Sequence, residues 1–497
     1  MSQALTSNEL LSSAPILDAV ERYRGTIVDL DASRALTGDD FARAREALAA
    51  ALAGAGLASG DRVIVAVPNG PLFLATLAAV LQCEASPLLL HFRTPPAEVR
   101  RYAQRFGVRF FAFDPTEETD FGDLLAVSLD HDFAGLATLR FAALDVPDAF
   151  TGGPILRGVP LHPTSGSTGL PKIALRPGFA AIEEARHYAA TLAIDEDDTI
   201  MAIPPMSHAY GYGMCAMVPL LTGANLITTR KFSDSLIHRA LAEHPATIVP
   251  TVPAMLDVLS FGRGADLRRA RWVLTAGAML PLRAAEQFRK KTGVTACPLY
   301  GTTETGGISI AIAADGNDVD GRVGPPMDGV SVKAGPSLRN NDSASGEPDS
   351  IDGLERLFVR SSSMMAGYLD DAGQILPVAD GWFETGDLAR IENGAIVLRG
   401  RDSEVINVFG LKVVPCEVEE AIAAMPGVIE VRVYAGEHRS GTQVVKAAVA
   451  VATKLTAADI RAHCEQHLVY YKRPQVVTLV DRLPRTPAGK IDRGQLP

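Results

Sequence analysis

A chain of 497 residues is too long for one core of ordinary size, so two or more domains are expected. Hydrophobic residues at 47% can fill such cores, and charged residues at 21% fit a soluble globular enzyme. The excess of 58 acidic over 47 basic side chains, a net charge of −11, argues against a general nucleic-acid binder but does not forbid a local nest for an anion.

The first third alternates helical and strand-like patterns. An Ala-rich helix is expected over Asp40–Leu57, then a strand at Arg62–Val67, a helix at Pro71–Cys83 and a strand at Pro87–Leu90. A helix over Pro95–Phe106 and a strand over Val108–Ala112 continue the rhythm. It resumes with a helix at Phe179–Leu192, a strand at Thr199–Ile203, a helix at Gly211–Leu221 and a strand at Asn225–Thr228. Such β-α-β order implies parallel sheets with helices on both faces, in two related subdomains. From about Val330 short strands predominate, as at Leu357–Val359 and Ile396–Leu398, and suggest a small antiparallel barrel or sheet; Ser337–Asp352 reads as a loose loop. After Arg401 comes a small α+β module. Its helices are expected at Glu417–Met425 and Thr456–Leu468, and its strands at Val431–Ala435, Val444–Val451 and Val476–Leu479. The expected fold is α/β: a large N-terminal domain over residues 1–402 and a small mobile domain over 403–497. The five cysteines are scattered, with no C-x-x-C pair. The opening Met1-Ser2-Gln3-Ala4 lacks a signal-peptide pattern, and no apolar run reaches the roughly 20 residues that span a bilayer. A cytoplasmic protein without integral membrane association is expected.

The richest local signal is Thr164-Ser165-Gly166-Ser167-Thr168-Gly169-Leu170-Pro171-Lys172. Glycines let backbone N–H groups converge, hydroxyls add donors, and Lys172 supplies a point charge, a combination suited to a polyphosphate. No G-K-[S/T] closes it as a Walker A loop, and its spacing is not that of a nucleophile elbow. Five further segments follow in order: Pro205-Met206-Ser207-His208-Ala209-Tyr210-Gly211, Leu299-Tyr300-Gly301-Thr302-Thr303-Glu304, Gly381-Trp382-Phe383-Glu384-Thr385-Gly386-Asp387, Leu398-Arg399-Gly400-Arg401 leading to Gly410-Leu411-Lys412, and Leu483 to Ile491 with Gly489-Lys490.

In this order and spacing the segments resemble the adenylate-forming superfamily of acyl- and aryl-CoA ligases, peptide-synthetase adenylation domains and luciferases, over nearly the whole chain. The resemblance implies a two-step reaction: a carboxylate attacks the α-phosphate of Mg-ATP, and a thiol then displaces AMP. It places Thr164 to Lys172 (Ser165, Gly166, Ser167, Thr168 and Gly169 included) on the β- and γ-phosphates. It puts Tyr300 on the adenine, Gly301 and Thr302 among the nucleotide-binding residues, Thr303 on the α-phosphate, Glu304 on Mg²⁺, Asp387 on the ribose hydroxyls, and Arg401 on the ribose and phosphate side. Lys490 would bridge the carboxylate and α-phosphate, and His208 would stand at the acyl-pocket wall or the thiol entry. Lys490, Lys172, His208, Thr303 and Glu304 are the catalytic candidates.

The acyl pocket is assigned to His208, Ala209, Tyr210 and Gly211, to Ala276, Gly277 and Ala278, and to Gly306, Gly307 and Ile308. Ala209 stands where amino-acid-activating members usually carry Asp, so a non-amino acid is expected, aryl or short to medium aliphatic. Coenzyme A is the default thiol, with a carrier-protein phosphopantetheine as the alternative; the protein would be a monomer or a homodimer. A domain rotation is implied between the two steps, with Ser403 at the hinge where the family usually has Asp or Lys, and Gly410 lining the thiol tunnel. His463 and His467, spaced i, i+4 around Cys464, have no third ligand nearby and read as part of an amphipathic helix rather than a metal site.

Overall fold

The computed structural model describes residues 11–497 apart from 117–120, 136, 146–155, 165–171, 231–232, 261–266, 313–320, 337–352, 371–372, 379–380, 409–410, 438–442, 453 and 487–489. The loop expected over Ser337–Asp352 therefore lies outside the described residues. The chain forms two compact units. One comprises Met1–Asn317, Pro326–Ser331 and Arg360–Phe383; the other comprises Asp318–Pro325, Val332–Val359 and Glu384–Pro497.

The first unit holds two large sheets. In the nine-stranded sheet, Arg62–Ala66 lies parallel between Ser86–Leu89 and Phe110–Phe113. It is buried at every position, which is why it reads as an unbroken apolar run rather than an alternation. The helix Pro71–Gln82 starts on a proline whose missing N–H costs nothing there, and it buries almost every side chain. The helix Pro96–Phe106 stops at Gly107, which takes the left-handed conformation (φ 58°) that glycine tolerates. Both edges of the sheet depart from the expected parallel order. At one, Leu161–Thr164, Lys172–Leu175, Gly367–Leu369 and Ile375–Leu376 pair antiparallel in turn. At the other, the strands Leu125–Phe133 and Ala137–Leu144 form a hairpin that joins Phe110–Phe113 antiparallel.

The eight-stranded sheet runs Gly306–Ile310, Ala296–Thr302, Trp272–Thr275, Ile248–Thr251, Thr199–Ala202, Asn225–Thr228, Ile27–Asp29, Arg34–Leu36. Its inner pairings are parallel and both edge pairings antiparallel. The expected single helix over Gly211–Leu221 is instead a short α-turn at Ala209–Gly211, a π-segment at Tyr212–Met217 and an α-turn at Val218–Thr222. Pro219 has no N–H for the carbonyl of residue 215, and its ring crowds that carbonyl; a wider turn relieves both problems.

In the second unit a five-stranded sheet runs Arg322–Gly324, Ala395–Arg401, Phe383–Glu392, Glu355–Ser361, Val330–Gly335. The C-terminal part pairs Ile406–Val408 with Leu411–Val413. It then builds a three-stranded sheet of Val428–Glu437, Gln443–Val451 and Val476–Val480 beside helices Pro415–Ala423 and Ala457–His467. The latter helix begins with a reciprocal capping box between Thr456 and Asp459. Among the described residues no helix is long and apolar enough to cross a membrane.

The core of the nine-stranded sheet centres on aromatic packing. The ring of Phe111, fully buried, stacks 4.5 Å from Phe113 and meets Phe121 edge-on at 4.8 Å. Phe111→Ala should therefore cost about 3–5 kcal/mol in urea unfolding. A loss below 1 kcal/mol, on the order of a surface change, would contradict this packing.

Candidate active site

The glycine-rich run is framed by a hairpin. Strands Leu161–Thr164 and Lys172–Leu175 pair antiparallel, with Thr164 directly opposite Lys172. Residues 165–171, including Ser165, Gly166, Ser167, Thr168 and Gly169, lie outside the described residues. Lys172 is exposed, and its Nζ lies 5.2 Å from the ring centroid of Tyr368, a cation–π distance. The Tyr368 hydroxyl donates to Glu304 Oε1 at 2.6 Å. Tyr368 reaches this position because Gly367–Leu369 pairs with the strand after the loop, Tyr368 opposite Ala174. Lys172, Tyr368 and Glu304 thus form one group, and the structure brings together two residues 132 positions apart in the sequence-based assignment (304 − 172).

Tyr300 is buried near the end of Ala296–Thr302, where a register shift separates Tyr300 from Gly301. The chain then turns sharply. Thr305 N–H donates to Thr302 Oγ1 at 3.2 Å, so the Thr302 hydroxyl caps the turn that carries Thr303 and Glu304. The strand Gly306–Ile310 returns antiparallel, with Gly306, Gly307 and Ile308 buried. Glu304 presents a half-buried carboxylate oriented by Tyr368. Among the described residues no cluster of three or more His, Cys, Asp or Glu could cage a metal. A single carboxylate nonetheless fits Mg²⁺, which keeps water and substrate phosphates as its other ligands.

The segment before the π-turn is held by a residue that sequence reasoning missed. Asn69 Nδ2 donates to the carbonyls of Ala202 (3.1 Å) and Pro204 (2.9 Å), and its Oδ1 accepts from Met206 N–H at 2.8 Å. This fixes the approach to His208, which is exposed and precedes the turn Ala209–Gly211. The His208 ring stacks on His91 with centroids 5.9 Å apart. Burial, then the nearby His208 and Arg93, lower the His91 pKa to about 4, so His91 is neutral at pH 7. Tyr210 donates to the Leu274 carbonyl at 3.3 Å, just ahead of Ala276, which is buried, and Gly277 and Ala278, which are exposed.

In the second unit, Asp387 and Arg401 are opposite each other in the strand pair. Arg401 Nε donates to Asp387 Oδ1 at 2.9 Å. Asp387 is buried, and its N–H donates to Thr385 Oγ1, which itself donates to the Leu357 carbonyl. Ser403 sits exposed in the short turn Asp402–Glu404. Its neighbours are clamped: Arg356 donates twice to Asp402 (3.2 Å each), and Arg432 and Arg493 hold Glu404. Gly410 lies outside the described residues. Lys490 is exposed beside a closed rung where Thr486 N–H donates to the Lys490 carbonyl at 2.7 Å and Arg485 bridges to Ile491. His463 Nε2 lies 2.9 Å from the Ala421 carbonyl, and His467 Nδ1 2.8 Å from the His463 carbonyl; both histidines lie in the helix Ala457–His467.

Comparison with known proteins decides the family. The model for AMP-binding enzymes matches residues 17–369, and the model for the AMP-binding enzyme C-terminal domain matches 417–490. The chain belongs to the AMP-binding enzyme family. It is 27% identical over 486 residues to a sulfoacetate–CoA ligase of Cupriavidus necator, covering 94% of this chain and 93% of that protein. It is 29% identical over 499 residues to a feruloyl-CoA synthase of an Amycolatopsis species, covering 98% and 99%. The crystal structure of ATP-bound MatB from Rhodopseudomonas palustris has the same fold, with a TM-score of 0.79 at 22% identity, over 97% of this chain and 98% of that one. In this AMP-binding enzyme Tyr368, Asn69 and His91 carried no motif signal, because each reaches its partner through the fold rather than through spacing.

The depressed His91 has a measurable consequence. The unfolded chain protonates this histidine near its ordinary value of 6.5, the folded protein only near 4. Between those values the unfolded state binds more protons, so stability falls as pH drops through the window. His91→Asn should show a shallower loss of thermal stability from pH 6.5 to 4.5 than the unaltered protein; parallel profiles would contradict the assignment.

Proposed function

We propose that this AMP-binding enzyme activates a non-amino carboxylic acid with ATP and transfers the acyl group to coenzyme A. The observation that carries the reading is length. The two relatives named as CoA ligase and CoA synthase match 94% and 98% of the chain, and the two family models span Thr164 to Glu304 and Lys490. Their names also favour coenzyme A over a carrier-protein thiol as the acceptor.

In the proposed reaction a carboxylate oxygen attacks the α-phosphorus and pyrophosphate leaves. The thiol sulfur then attacks the acyl carbon, and AMP departs with the former carboxylate oxygen. Direct displacement from the carboxylate would expel oxide, a very poor leaving group; adenylation replaces it with a phosphate ester oxygen. Lys172 and the run from Thr164 hold the β- and γ-phosphates, with backbone and hydroxyl donors around them. Thr303 meets the α-phosphate, Tyr300 stacks on the adenine, and Gly301 and Thr302 belong to the same nucleotide site. Asp387, fixed by Arg401, receives the ribose hydroxyls. Glu304 would hold Mg²⁺, which supplies charge neutralisation on the phosphate oxygens. Lys490 donates to the carboxylate and the α-phosphate as charge builds on them.

His208, Ala209, Tyr210, Gly211, Ala276, Gly277, Ala278 and Gly306 to Ile308 line the acyl pocket. Ala209 offers no carboxylate to a substrate ammonium, whose burial without a partner would be costly, so aryl or short to medium aliphatic acids fit better than amino acids. The boundary between the large and small domains is placed at 402/403, with Ser403 between its two anchored neighbours as the hinge and Gly410 on the thiol path. The cysteines among the described residues are all free thiols, which fits a reducing, cytoplasmic setting.

Carboxylate-dependent ATP–pyrophosphate exchange across aryl, aliphatic and amino acids, with no thiol present, tests the first step. Exchange with one non-amino class is the expected result; no exchange with any acid would count against the reading. Lys490→Ala should slow that exchange about 100- to 1000-fold while largely sparing thioester formation from supplied acyl-adenylate. Equal loss of both half-reactions would refute the division of labour. Gly410→Leu should spare exchange and block transfer to coenzyme A, and unchanged overall turnover would remove Gly410 from the thiol path.

A further inference from the structure

Behind the turn that carries Thr303 and Glu304 lies a charge pair sealed from water. Arg176 is 0% exposed and Glu184 is 1% exposed, with Arg176 Nη2 donating to Glu184 Oε2 at 2.7 Å. Neither residue belongs to a motif segment. Arg176 follows the strand Lys172–Leu175, and Glu184 lies in the helix Gly178–Leu192.

Both partners also reach the catalytic turn. Arg176 Nη1 donates to the carbonyl of Thr303 at 2.9 Å, and Glu184 Oε1 accepts from Gly307 N–H at 3.1 Å. The pair therefore grips the turn at both ends, one bond before Glu304 and one after it. The backbone is built close around this carboxylate. A Cβ at Gly213, in the π-segment, would stand 2.5 Å from Glu184 Oε1, and one at Gly306 2.6 Å from its Cδ. Glycine at these two positions is what admits the carboxylate. The pair thus touches three segments given roles above: the phosphate-run hairpin, the turn with Thr303 and Glu304, and the helix that follows His208.

The titratable side chains His162 and Tyr188 beside the pair are neutral. His162, buried and set edge-on to Tyr212 with centroids 4.6 Å apart, has its pKa driven well below the ordinary histidine value by burial, then by the Arg176 charge. Tyr188, fully buried, has its pKa pushed well above the ordinary tyrosine value by burial and by Glu184. Neither neighbour adds a competing charge. Replacing a buried ion pair by hydrophobic residues of similar volume is often neutral or stabilising, so stability alone is a weak reason for the pair to be here. A planar guanidinium with several donors in fixed directions can instead hold a carbonyl and a carboxylate in one geometry.

We propose that Arg176 and Glu184 are positioning residues for adenylation: together they set the backbone of Thr303 to Gly307, so that Thr303 and Glu304 meet the α-phosphate and its cation in reacting geometry. This rests on the roles given to Thr303 and Glu304 above. Misplacing such groups by about 1 Å costs on the order of 100-fold in rate.

The test uses the full-length protein and the acid that gives exchange. In Arg176→Met/Glu184→Met both charges are removed together, so no uncompensated charge stays buried. The expected result is a melting temperature close to that of the unaltered protein, kcat lower by about 100-fold, a smaller change in KM for ATP, and faster amide hydrogen exchange confined to the peptide around residues 302–307. Wild-type kcat in the folded double variant would overturn the proposal, as would faster exchange spread across the whole protein. If the double variant does not fold, Glu184→Gln keeps an acceptor for Gly307 N–H but loses the ion pair. It should lower kcat with local loss of protection, and unchanged kcat would again overturn the proposal. Glu304→Ala separates the two levels: if it keeps wild-type kcat, the role of the turn itself is wrong and the proposal falls with it. If it is inactive while the double variant is fully active, only the positioning role is wrong.

Discussion

Two opposite charges 2.7 Å apart and buried from bulk solvent constrain much of the larger unit. A buried guanidinium must have carboxylate and carbonyl partners, and a buried carboxylate must have N–H donors, or each costs several kcal/mol in desolvation. Arg176 and Glu184 meet most of that demand by drawing in the Thr303 carbonyl and the Gly307 amide, with Arg176 Nε left without a hydrogen-bond partner among the described residues. A hairpin, a helix, a π-segment and a strand-to-strand turn are thereby tied to one point. That framework carries Lys172, which is exposed, and Glu304, which is half-buried.

The same economy recurs in smaller form. Tyr368 orients Glu304, Asn69 secures the backbone ahead of His208 through three hydrogen bonds, and Thr385 supports Asp387, which receives Arg401 across a strand pair. Glu304, the backbone ahead of His208, and Asp387 are thus each held by a named partner. Such supports matter because transition-state stabilisation needs donors already aimed at the developing charge rather than reorganised during reaction.

The sequence made the parallel strands legible because strands such as Arg62–Ala66 are buried on both faces and read as unbroken apolar runs. Helices were legible where a proline, a capping residue or a closing glycine marked an end, as at Pro71 and Gly107. What could not be read is what depends on distant partners. Ile27–Asp29 enters the second sheet beside Leu226–Thr228, about 200 residues on, and no local pattern announces it. The hairpin of Leu125–Phe133 and Ala137–Leu144 breaks a β-α-β rhythm that had been regular until then. Pro219 turned an expected helix into a π-segment. The motif residues were found through resemblance to a family, whereas Arg176, Glu184, Asn69 and Tyr368 are ordinary residues in sequence and gain meaning only from what they touch.

The account stands on one chemical claim: the acid is activated as an acyl-adenylate, so one of its oxygens passes to AMP. Turnover of an ¹⁸O-labelled carboxylic acid with ATP and coenzyme A, followed by mass analysis of the nucleotide, tests that claim directly. The predicted result is one labelled oxygen in the phosphate of AMP and none in pyrophosphate. Unlabelled AMP, or ADP with labelled inorganic phosphate, would mean that activation takes another route and would contradict the account.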